Sequence, residues 1–329
     1  MADTGLEVVG IGNAIVDVLT HAPDDFLARE GLVKGTMRLI DADEAEALYA
    51  RMGPGVECSG GSVANTMAGL ASLGARGAFV GKLRDDQLGQ VFRHDMRAIG
   101  VAFDTAPAAD GPATARCLIL VTPDAQRTLN TYLGACVGLG PEDIDPRLIS
   151  SARITYLEGY LWDPPRAQEA FVKAAKIAHE AGRKVALSLS DPFCVDRHRD
   201  SFEELVAHHV DILFANQHEL MALYQAADFD AALHAVRGQC EIAVLTRSEK
   251  GSVVLQGNDV HIVDAEPVER VVDTTGAGDQ YAAGFLFGLT QGYDLYSCGR
   301  IGSIAAAEVI GHVGARPATS LAALVEAKL

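Results

Sequence analysis

The stretch 272-VDTTGAGDQYAAGFLFGL-289 joins a glycine turn to a long run of small and apolar residues. Gly276 and Gly278 allow the backbone to turn sharply, and the residues from Ala277 onward have the composition of a helix. The pattern predicts a buried helix whose first backbone N–H groups are free, and those groups and the helix dipole favour an anion. We expect Gly278 to need an unusual backbone conformation there.

Asp279 stands in the first turn of this predicted helix, where the anion-binding end keeps it ionised. It can accept the proton of a substrate hydroxyl while the glycine N–H groups hold the charge that develops on a transferred γ-phosphate. The alternative is that Asp279 is only a favourable first-turn carboxylate on a buried helix.

Composition limits the class of protein. The chain has 329 residues, 49% of them hydrophobic, which allows one large α/β domain or two smaller ones. With 27 basic and 44 acidic residues, its net charge of −17 repels nucleic acid and anionic membrane surfaces. A polyanionic ligand must therefore be held locally, by backbone N–H groups or by a metal.

The N-terminus and the cysteines favour a cytoplasmic protein. MADTGLEVVG has no basic segment followed by an apolar core, and no apolar run reaches about 18 residues, so neither secretion nor membrane spanning is supported. The six cysteines form no CxxC motif, so we expect reduced thiols rather than disulfides or a zinc site.

Strand-like runs alternate with helical periodicity such as that of 165-PRAQEAFVKAAKIAHEAG, which predicts parallel strands joined by crossover helices. Segments 14–40 and 101–134 break the alternation, because they carry strand-like runs without intervening helices. We expect them to form a small β lid over the strand ends. The predicted main strands are 6-LEVVGIG, 78-AFVG, 154-ITYLEGY, 184-KVALSLS, 211-DILFAN and 242-IAVLT.

Two common nucleotide-binding motifs fit poorly. In 77-GAFVGKL the glycines are too close, and Leu83 stands where a P-loop needs Ser or Thr. The segment 10-GIGNAI begins like a dinucleotide fingerprint, but Ile15 occupies the third glycine position, so this alternative ranks second.

Two further segments carry polar groups suited to a polyhydroxyl ligand. In 59-SGGSVANTMAGLASLG two glycines precede an amphipathic helix, and Asn65 in its first turn can donate and accept hydrogen bonds. After the first strand, Asn13 and Asp17 bracket 14-AIV, where a carboxylate could accept two sugar hydroxyls. A glycine turn with polar capping and a surface carboxylate at a strand end are the alternatives.

The whole chain resembles the ribokinase-like (PfkB) family of sugar and nucleoside kinases. The resemblance rests on four motifs in the family's order: GGSVAN at 60–65, NQHE at 216–219, TRSEKGS at 246–252 and DTTGAGD at 273–279. It implies one ribokinase-like kinase domain over 1–329, a Rossmann-like three-layer α/β sandwich with a mostly parallel sheet. The small β lid would come from about 14–40 and 101–134.

Site residues follow from the same resemblance. Asp279 resembles the catalytic base, and Gly276, Ala277 and Gly278 resemble the anion hole. ATP is implied as co-substrate, with Asn216, Thr246, Ser248 and Gly251 at the nucleotide. Asn216 and Glu219 resemble the pair that organises Mg²⁺ and its waters, although NxxE also fits a helix cap with its partner three residues on. Some relatives bind a monovalent cation such as K⁺, which would implicate Asp273 and Thr275.

Within the family, the sequence is most similar to the adenosine kinases. GNAIVD at 12–17 resembles their ribose-contacting opening, so the implied substrate residues are Asn13, Asp17, Gly60, Gly61 and Asn65. The segment 156-YLEGYLWDPP resembles their base-binding wall, for which Tyr160 and Trp162 are candidates; core packing is the alternative for each. Val63 and Ser248 depart from the sugar-kinase pattern, in which a small residue or proline and a glycine are usual.

The resemblance implies transfer of the γ-phosphate of ATP to the 5′-hydroxyl of adenosine in purine salvage. The alternatives are a sugar kinase of the ribokinase or fructokinase type and a non-catalytic nucleoside-binding protein of this fold. The intact Asp279 with both glycines argues against the non-catalytic protein. The partners implied are small molecules, without nucleic acid or membrane, and a homodimer is left open.

Overall fold

Alternating strands and helices form the computed structural model, which describes residues 5–124 and 126–329. Residues 1–4 of the N-terminal segment and residue 125 of the second predicted insertion lie outside it. The strands are β1 (Leu6–Ile11), β2 (Ile15–His21), β3 (Met37–Leu39), β4 (Val56–Gly60), β5 (Gly77–Val80), β6 (Ala115–Val121), β7 (Arg127–Tyr132), β8 (Ala152–Glu158), β9 (Lys184–Ser188), β10 (Ile212–Asn216), β11 (Ile242–Thr246), β12 (Ser252–Gln256) and β13 (Asp259–Val263).

Helices follow most of the main strands. They are α1 (Asp24–Arg29), α2 (Ala42–Tyr49), α3 (Ser62–Ser72), α4 (Gln87–Ala98), α5 (Pro146–Ser151), α6 (Pro165–Glu180), α7 (Pro192–His209), α8 (Gln217–Leu223), α9 (Phe229–Val236), α10 (Ala277–Gln291), α11 (Leu295–Val309) and α12 (Leu321–Lys328).

The large sheet has eight strands in the order β13-β12-β11-β10-β9-β8-β1-β5. The six strands from β11 to β5 are parallel, whereas β12 and β13 are antiparallel at one edge. All six predicted main strands are present. Helices fill the crossovers, as parallel neighbours require, and the predicted mostly parallel α/β architecture is confirmed.

Side chains of the large sheet alternate between two cores, which makes the molecule three-layered. On β1, Val8 packs in the core that contains α3 and α10, while Val9 and Ile11 pack in the core that contains α6 and α7. β11 repeats this pattern with Val244 and Leu245 on opposite faces. A strand covered on both faces reads as a continuous apolar run, which is why the main strands could be predicted.

The second sheet has five strands in the order β3-β7-β6-β2-β4. Four of them lie within 14–40 and 101–134, but β4 lies outside both segments, and it joins the sheet as an edge strand antiparallel to β2. The expectation of no helix in 14–40 is wrong, because α1 lies between β2 and β3 with its one buried residue, Leu27, in the core beside β2.

Across residues 5–124 and 126–329 no helix combines the length and the apolar character needed to cross a membrane. All six cysteines are free, four of them buried. This agrees with the expectation of unpaired thiols.

Candidate active site

The carboxyl ends of the parallel strands meet the small sheet around a cavity of about 910 Å³. Residues at or just after the carboxyl ends of β1, β8, β9, β10 and β11 line it, together with the N-terminus of α10. Ligands of open α/β sheets bind at this edge, where loops and helix N-termini converge. The lining includes thirteen of the predicted site residues: Asn13, Asp17, Gly61, Asn65, Tyr160, Asn216, Glu219, Thr246, Thr275 and the four residues of 276–279.

In the glycine turn before α10, the residue with a left-handed backbone conformation is Gly276. This residue is the N-cap of α10 with φ +79°, and a Cβ there would lie 2.6 Å from the carbonyl oxygen of Ala315. Gly278 differs from the expectation, because its φ is not in the left-handed region and an added Cβ would meet no other atom of the described chain within 4 Å. Gly278 lines the cavity, so its missing side chain leaves room there.

Asp279 is held by two donors from α3. Ser62 Oγ donates to its Oδ1 at 2.6 Å, and Asn65 Nδ2 donates to its Oδ2 at 3.1 Å. Burial raises the pKa of Asp279 to about 6, although both hydrogen bonds oppose the rise by stabilising the charged form. With a pKa of about 6 the carboxylate is mostly ionised at neutral pH and still basic enough to take a proton. Asn65, predicted as a substrate residue, therefore contacts the candidate base. Ser62, which makes the second contact, was not predicted from the sequence.

Asp17 faces the cavity from β2, opposite Cys117 of β6. Burial raises its pKa to about 6 against the attraction of Arg316 and Arg127. Gly60 does not line the cavity. Its role is to make room, because a Cβ there would stand 2.4 Å from Asp17 Oδ2.

Gly61 begins α3 with φ +96°, and an added Cβ would lie 2.4 Å from the carbonyl oxygen of Asn13. Only glycine allows this close approach of the two chains. The N-terminus of α3 is thereby brought against the end of β1.

Asn13 is hydrogen-bonded to the carboxylate of Glu158, a residue that was not predicted from the sequence. Its side-chain amide donates to Glu158 Oε1 at 2.7 Å, and the backbone N–H groups of Asn13 and Val63 donate to Oε2 at 3.3 and 3.0 Å. Glu158 ends β8 and lines the cavity, and burial raises its pKa to about 7. The sequence feature that could have indicated Glu158 is its position as a single carboxylate within the apolar run 154-ITYLEGY.

Asn216 and Glu219 form the helix cap that NxxE allows. Asn216 Oδ1 accepts from the N–H groups of His218 and Glu219, and Glu219 Oε2 accepts from the N–H of Asn216 at 2.9 Å. Both side chains also line the cavity, and burial raises the pKa of Glu219 to about 7. Capping and a ligand role are therefore compatible.

Of the predicted nucleotide residues after β11, Thr246 lines the cavity, whereas Ser248 and Gly251 shape the following turn. Ser248 has φ +53°, a left-handed conformation that is energetically unfavourable for residues other than glycine. This explains why glycine is usual at this position in the sugar-kinase pattern. Gly251 has φ +75°, and a Cβ there would lie 2.0 Å from the carbonyl oxygen of Val263.

Asp273 and Thr275 contact each other, and of the two Thr275 lines the cavity. Thr275 donates to Asp273 Oδ1 through its N–H and its hydroxyl, and Gly314 N–H donates to Oδ2. Arg127 of β7 lies 2.8 Å from Oδ2 as an ion pair, at an angle too oblique for a hydrogen bond. A monovalent cation bound by the Asp273 carboxylate would have to share it with this guanidinium, which was not predicted from the sequence.

The two aromatic candidates differ in position. Tyr160 is 40% exposed and lines the cavity. Trp162 is a core residue: it is 3% exposed, its ring centroid lies 5.7 Å from that of Phe202 in a stacked arrangement, and its Nε1 donates to Ser201. The packing alternative therefore holds for Trp162.

The small sheet gives the cavity a mostly apolar wall, in which Asp17 is the one carboxylate among the described residues and Arg38 and Thr131 are the other long or hydrogen-bonding polar side chains of its strands. Ile15 and Asp17 share one face of β2 because strand side chains alternate, and their neighbours on β6 and β7 continue that face. We call this surface the apolar wall: Ile15, Cys117, Ile119, Leu129 and Leu133.

The chain is similar to several known kinases. The pfkB family carbohydrate kinase model matches residues 36–321. The structure of adenosine kinase from Sinorhizobium meliloti is 54% identical, with a TM-score of 0.92 over 99% of this chain and 100% of that one. A probable sugar kinase from Rhizobium etli CFN 42 is 50% identical, with a TM-score of 0.92 over 98% of each chain. The ATP-dependent ribose-1-phosphate kinase of Halopiger xanaduensis is 33% identical, covering 85% of this chain and 88% of that protein.

These findings agree with the geometry. The family match spans most of the chain, and all four sequence motifs contribute residues to one cavity. The chain therefore belongs to the pfkB family of carbohydrate kinases, ATP-dependent phosphotransferases that act on a hydroxyl group.

Proposed function

We propose that the protein transfers the γ-phosphate of ATP to the 5′-hydroxyl of adenosine, giving AMP and ADP. The observation that carries this proposal is the apolar wall with Asp17 in its face. With a free sugar bound, the apolar wall would stay exposed to water. A nucleoside covers the wall with its base, while its ribose hydroxyls reach the Asp17 carboxylate. The adenosine kinase relative at 54% identity supports the same substrate.

Asp279 acts as the general base in this proposal. Its carboxylate accepts the proton of the 5′-hydroxyl as the oxygen attacks phosphorus, and Ser62 and Asn65 keep it oriented. The N–H groups of Gly278 and Asp279 at the start of α10 stabilise the charge on the transferring phosphoryl group, whereas the N–H of Ala277 donates to the carbonyl oxygen of Thr274 at 3.2 Å.

Mg²⁺ fits the same cavity through Glu219 and Asn216. Among the residues that the structure describes, no group of three or more His, Cys, Asp or Glu side chains could hold a metal directly. Mg²⁺ commonly keeps several waters and binds through one or two carboxylates and substrate phosphates, which suits Glu219 as one of the carboxylates that line the cavity. When bound, the ion would neutralise charge on the phosphates.

Glu219→Gln should raise the Mg²⁺ concentration needed for half-maximal rate by roughly tenfold, the low end for loss of a group that orients metal-bound water. Magnesium titrations of the initial rate of ADP release measure this. The matched control is Glu44→Gln, because Glu44 forms the same capping box with Asp41 at α2, outside the cavity lining. Equal titrations for both variants would assign Glu219 to capping alone.

The substrate test compares acceptors with MgATP. Base stacking contributes about 1–3 kcal/mol, up to about a hundredfold in affinity, so kcat/KM for adenosine should exceed that for ribose or fructose by at least about tenfold. Asp17→Ala should remove the activity on adenosine. Tyr160→Ala should reduce the ratio of kcat/KM for adenosine to kcat/KM for ribose. Tyr296→Ala is the control, since Tyr296 is exposed and lies outside the cavity lining.

A sugar kinase is the second candidate, favoured by the ribose-1-phosphate kinase among the relatives. The acceptor panel should therefore also contain other nucleosides and ribose 1-phosphate. Turnover of any sugar as efficient as that of adenosine would replace the nucleoside assignment. We further place the protein in the cytoplasm, where ATP is available and the six free thiols stay reduced.

A further inference from the structure

Arg316 lies in the segment between α11 and α12, and its side chain turns back toward α3. Nε donates to Asn65 Oδ1 at 3.4 Å, and Nη2 lies 3.5 Å from Met96 Sδ. Ala315 lines the cavity but Arg316 does not. Its guanidinium can therefore affect the reaction only through the residues that it contacts and through its charge.

Asn65 is held at three points around the base. Gln280, a fully buried side chain, donates from Nε2 to the carbonyl oxygens of Asn65 and Ala315, both at 2.9 Å. Arg316 donates to the side-chain oxygen of Asn65, and Asn65 Nδ2 donates to Asp279 Oδ2. A flipped amide would point its oxygen at the carboxylate and its NH₂ at the guanidinium, and both contacts would be repulsive.

We propose that Arg316 is a positioning residue, which holds the Asn65 amide in the one orientation that donates to the Asp279 base. A hydrogen bond to the charged form of a carboxyl lowers its pKa. Loss of the Arg316 donor should let the amide rotate, so the pKa of Asp279 should rise. As the pH falls, the carboxylate would then become protonated, and inactive as a base, at a higher pH than in the wild type.

The charge of Arg316 is a competing influence, and the experiment must separate it from the hydrogen bond. Its charge lowers the pKa of Asp17, which also faces the cavity. The polar and titratable groups that face Asp279 come from α3, β2, β8 and the turn after β8: Ser62, Asn65, Asp17, Tyr156, Glu158 and Tyr160.

Arg316→Gln and Arg316→Met form a matched pair. The amide nitrogen of glutamine stands the same number of bonds from Cα as arginine Nε, so Arg316→Gln keeps a donor near Asn65 Oδ1 and loses the charge. Arg316→Met places a methyl group there and loses both. The difference between the two variants therefore reports the hydrogen bond alone. Arg153→Met is the control for removal of an arginine with a hydrogen-bonded guanidinium, because the exposed Arg153 donates to the carbonyl oxygen of Thr290, away from this cavity.

The first measurement is a ¹³C NMR titration of the aspartate carboxyls in the ligand-free full-length protein, with the Asp279 signal identified by its loss in Asp279→Asn. We expect the Asp279 pKa to be about one pH unit higher in Arg316→Met than in Arg316→Gln, the size expected for one hydrogen bond to a charged group. Arg153→Met should titrate like the wild type. Should the methionine variant not fold, Arg316→Ala takes its place.

The second measurement is kcat against pH, and it rests on the proposed kinase function. The acid limb should move upward by the same amount in Arg316→Met, while KM for ATP stays unchanged. Equal Asp279 pKa values in the glutamine and methionine variants would overturn the positioning role and leave only charge or packing. If the wild type phosphorylates no acceptor, the proposed function fails, and the NMR comparison still decides the role of Arg316.

Discussion

Asp279→Asn should reduce kcat by roughly 10²–10⁴, the usual contribution of a positioned general base. The substitution keeps the size of the side chain but removes the group that takes the proton from the acceptor hydroxyl. Ser62 and Asn65 both donate to this carboxylate, so one of them will also face an NH₂ group in the variant. Single-turnover rates of ADP formation at pH 8 measure the loss, because the wild-type base, with a pKa of about 6, is fully ionised there.

MgATP affinity separates loss of the base from loss of the site. Calorimetric titration should give a dissociation constant close to that of the wild type. Asp230→Asn is the control, since Asp230 is an exposed carboxylate in the first turn of α9. A near wild-type rate in the Asp279 variant would show that another group takes the proton and that Asp279 only orders the helix start.

Gly276→Ala should lower turnover by about 10²-fold, because misplacement of the reacting groups by about 1 Å is enough for that loss. The left-handed backbone disfavours any side chain, and the added Cβ would lie 2.6 Å from the Ala315 carbonyl oxygen. One of the two chain segments must therefore move, and the N–H groups that bind the phosphoryl group move with α10. Initial rates and thermal unfolding should be measured on the same preparation.

Gly292→Ala separates backbone strain from displacement. Gly292 ends the same helix with φ +82°, and its added Cβ would meet nothing within 4 Å in the described part of the molecule. This variant should lose about 1–2 kcal/mol of stability from strain yet keep its turnover. Equal activity losses in both glycine variants would mean that destabilisation, rather than the position of the anion site, causes the effect.

The motif residues were predictable because parallel strands end at one edge of a sheet. Asn216 and Thr246 are the last residues of the neighbouring strands β10 and β11, so residues 30 positions apart in sequence line one cavity. The fold could be predicted for a related reason: strands buried on both faces give continuous apolar runs. The short, mixed sequence of β4, VECSG, carries no such run, and its place in the small sheet depends on pairing with β2.

The missed residues act through partners that are distant in sequence. Glu158 binds Asn13 across 145 positions, and Arg316 reaches Asn65 across 251. Sequence spacing cannot indicate such pairs. The turn at Gly278 was misjudged for a different reason, because both glycines of 276-GAG fit a sharp turn and only coordinates show that Gly276 carries the positive φ.

The contacts between α3 and α10 also affect how the chain reaches its active form during synthesis. Ser62 and Asn65 meet Asp279 across 217 and 214 positions. At about 5–20 residues per second, a ribosome needs on the order of 10–40 s to make the intervening chain. During that time the apolar side of α3, with Met67 and Leu70, has no α10 to cover it. Exposed apolar surface of this kind promotes aggregation, so the nascent chain depends most on chaperone protection before its last fifth is made.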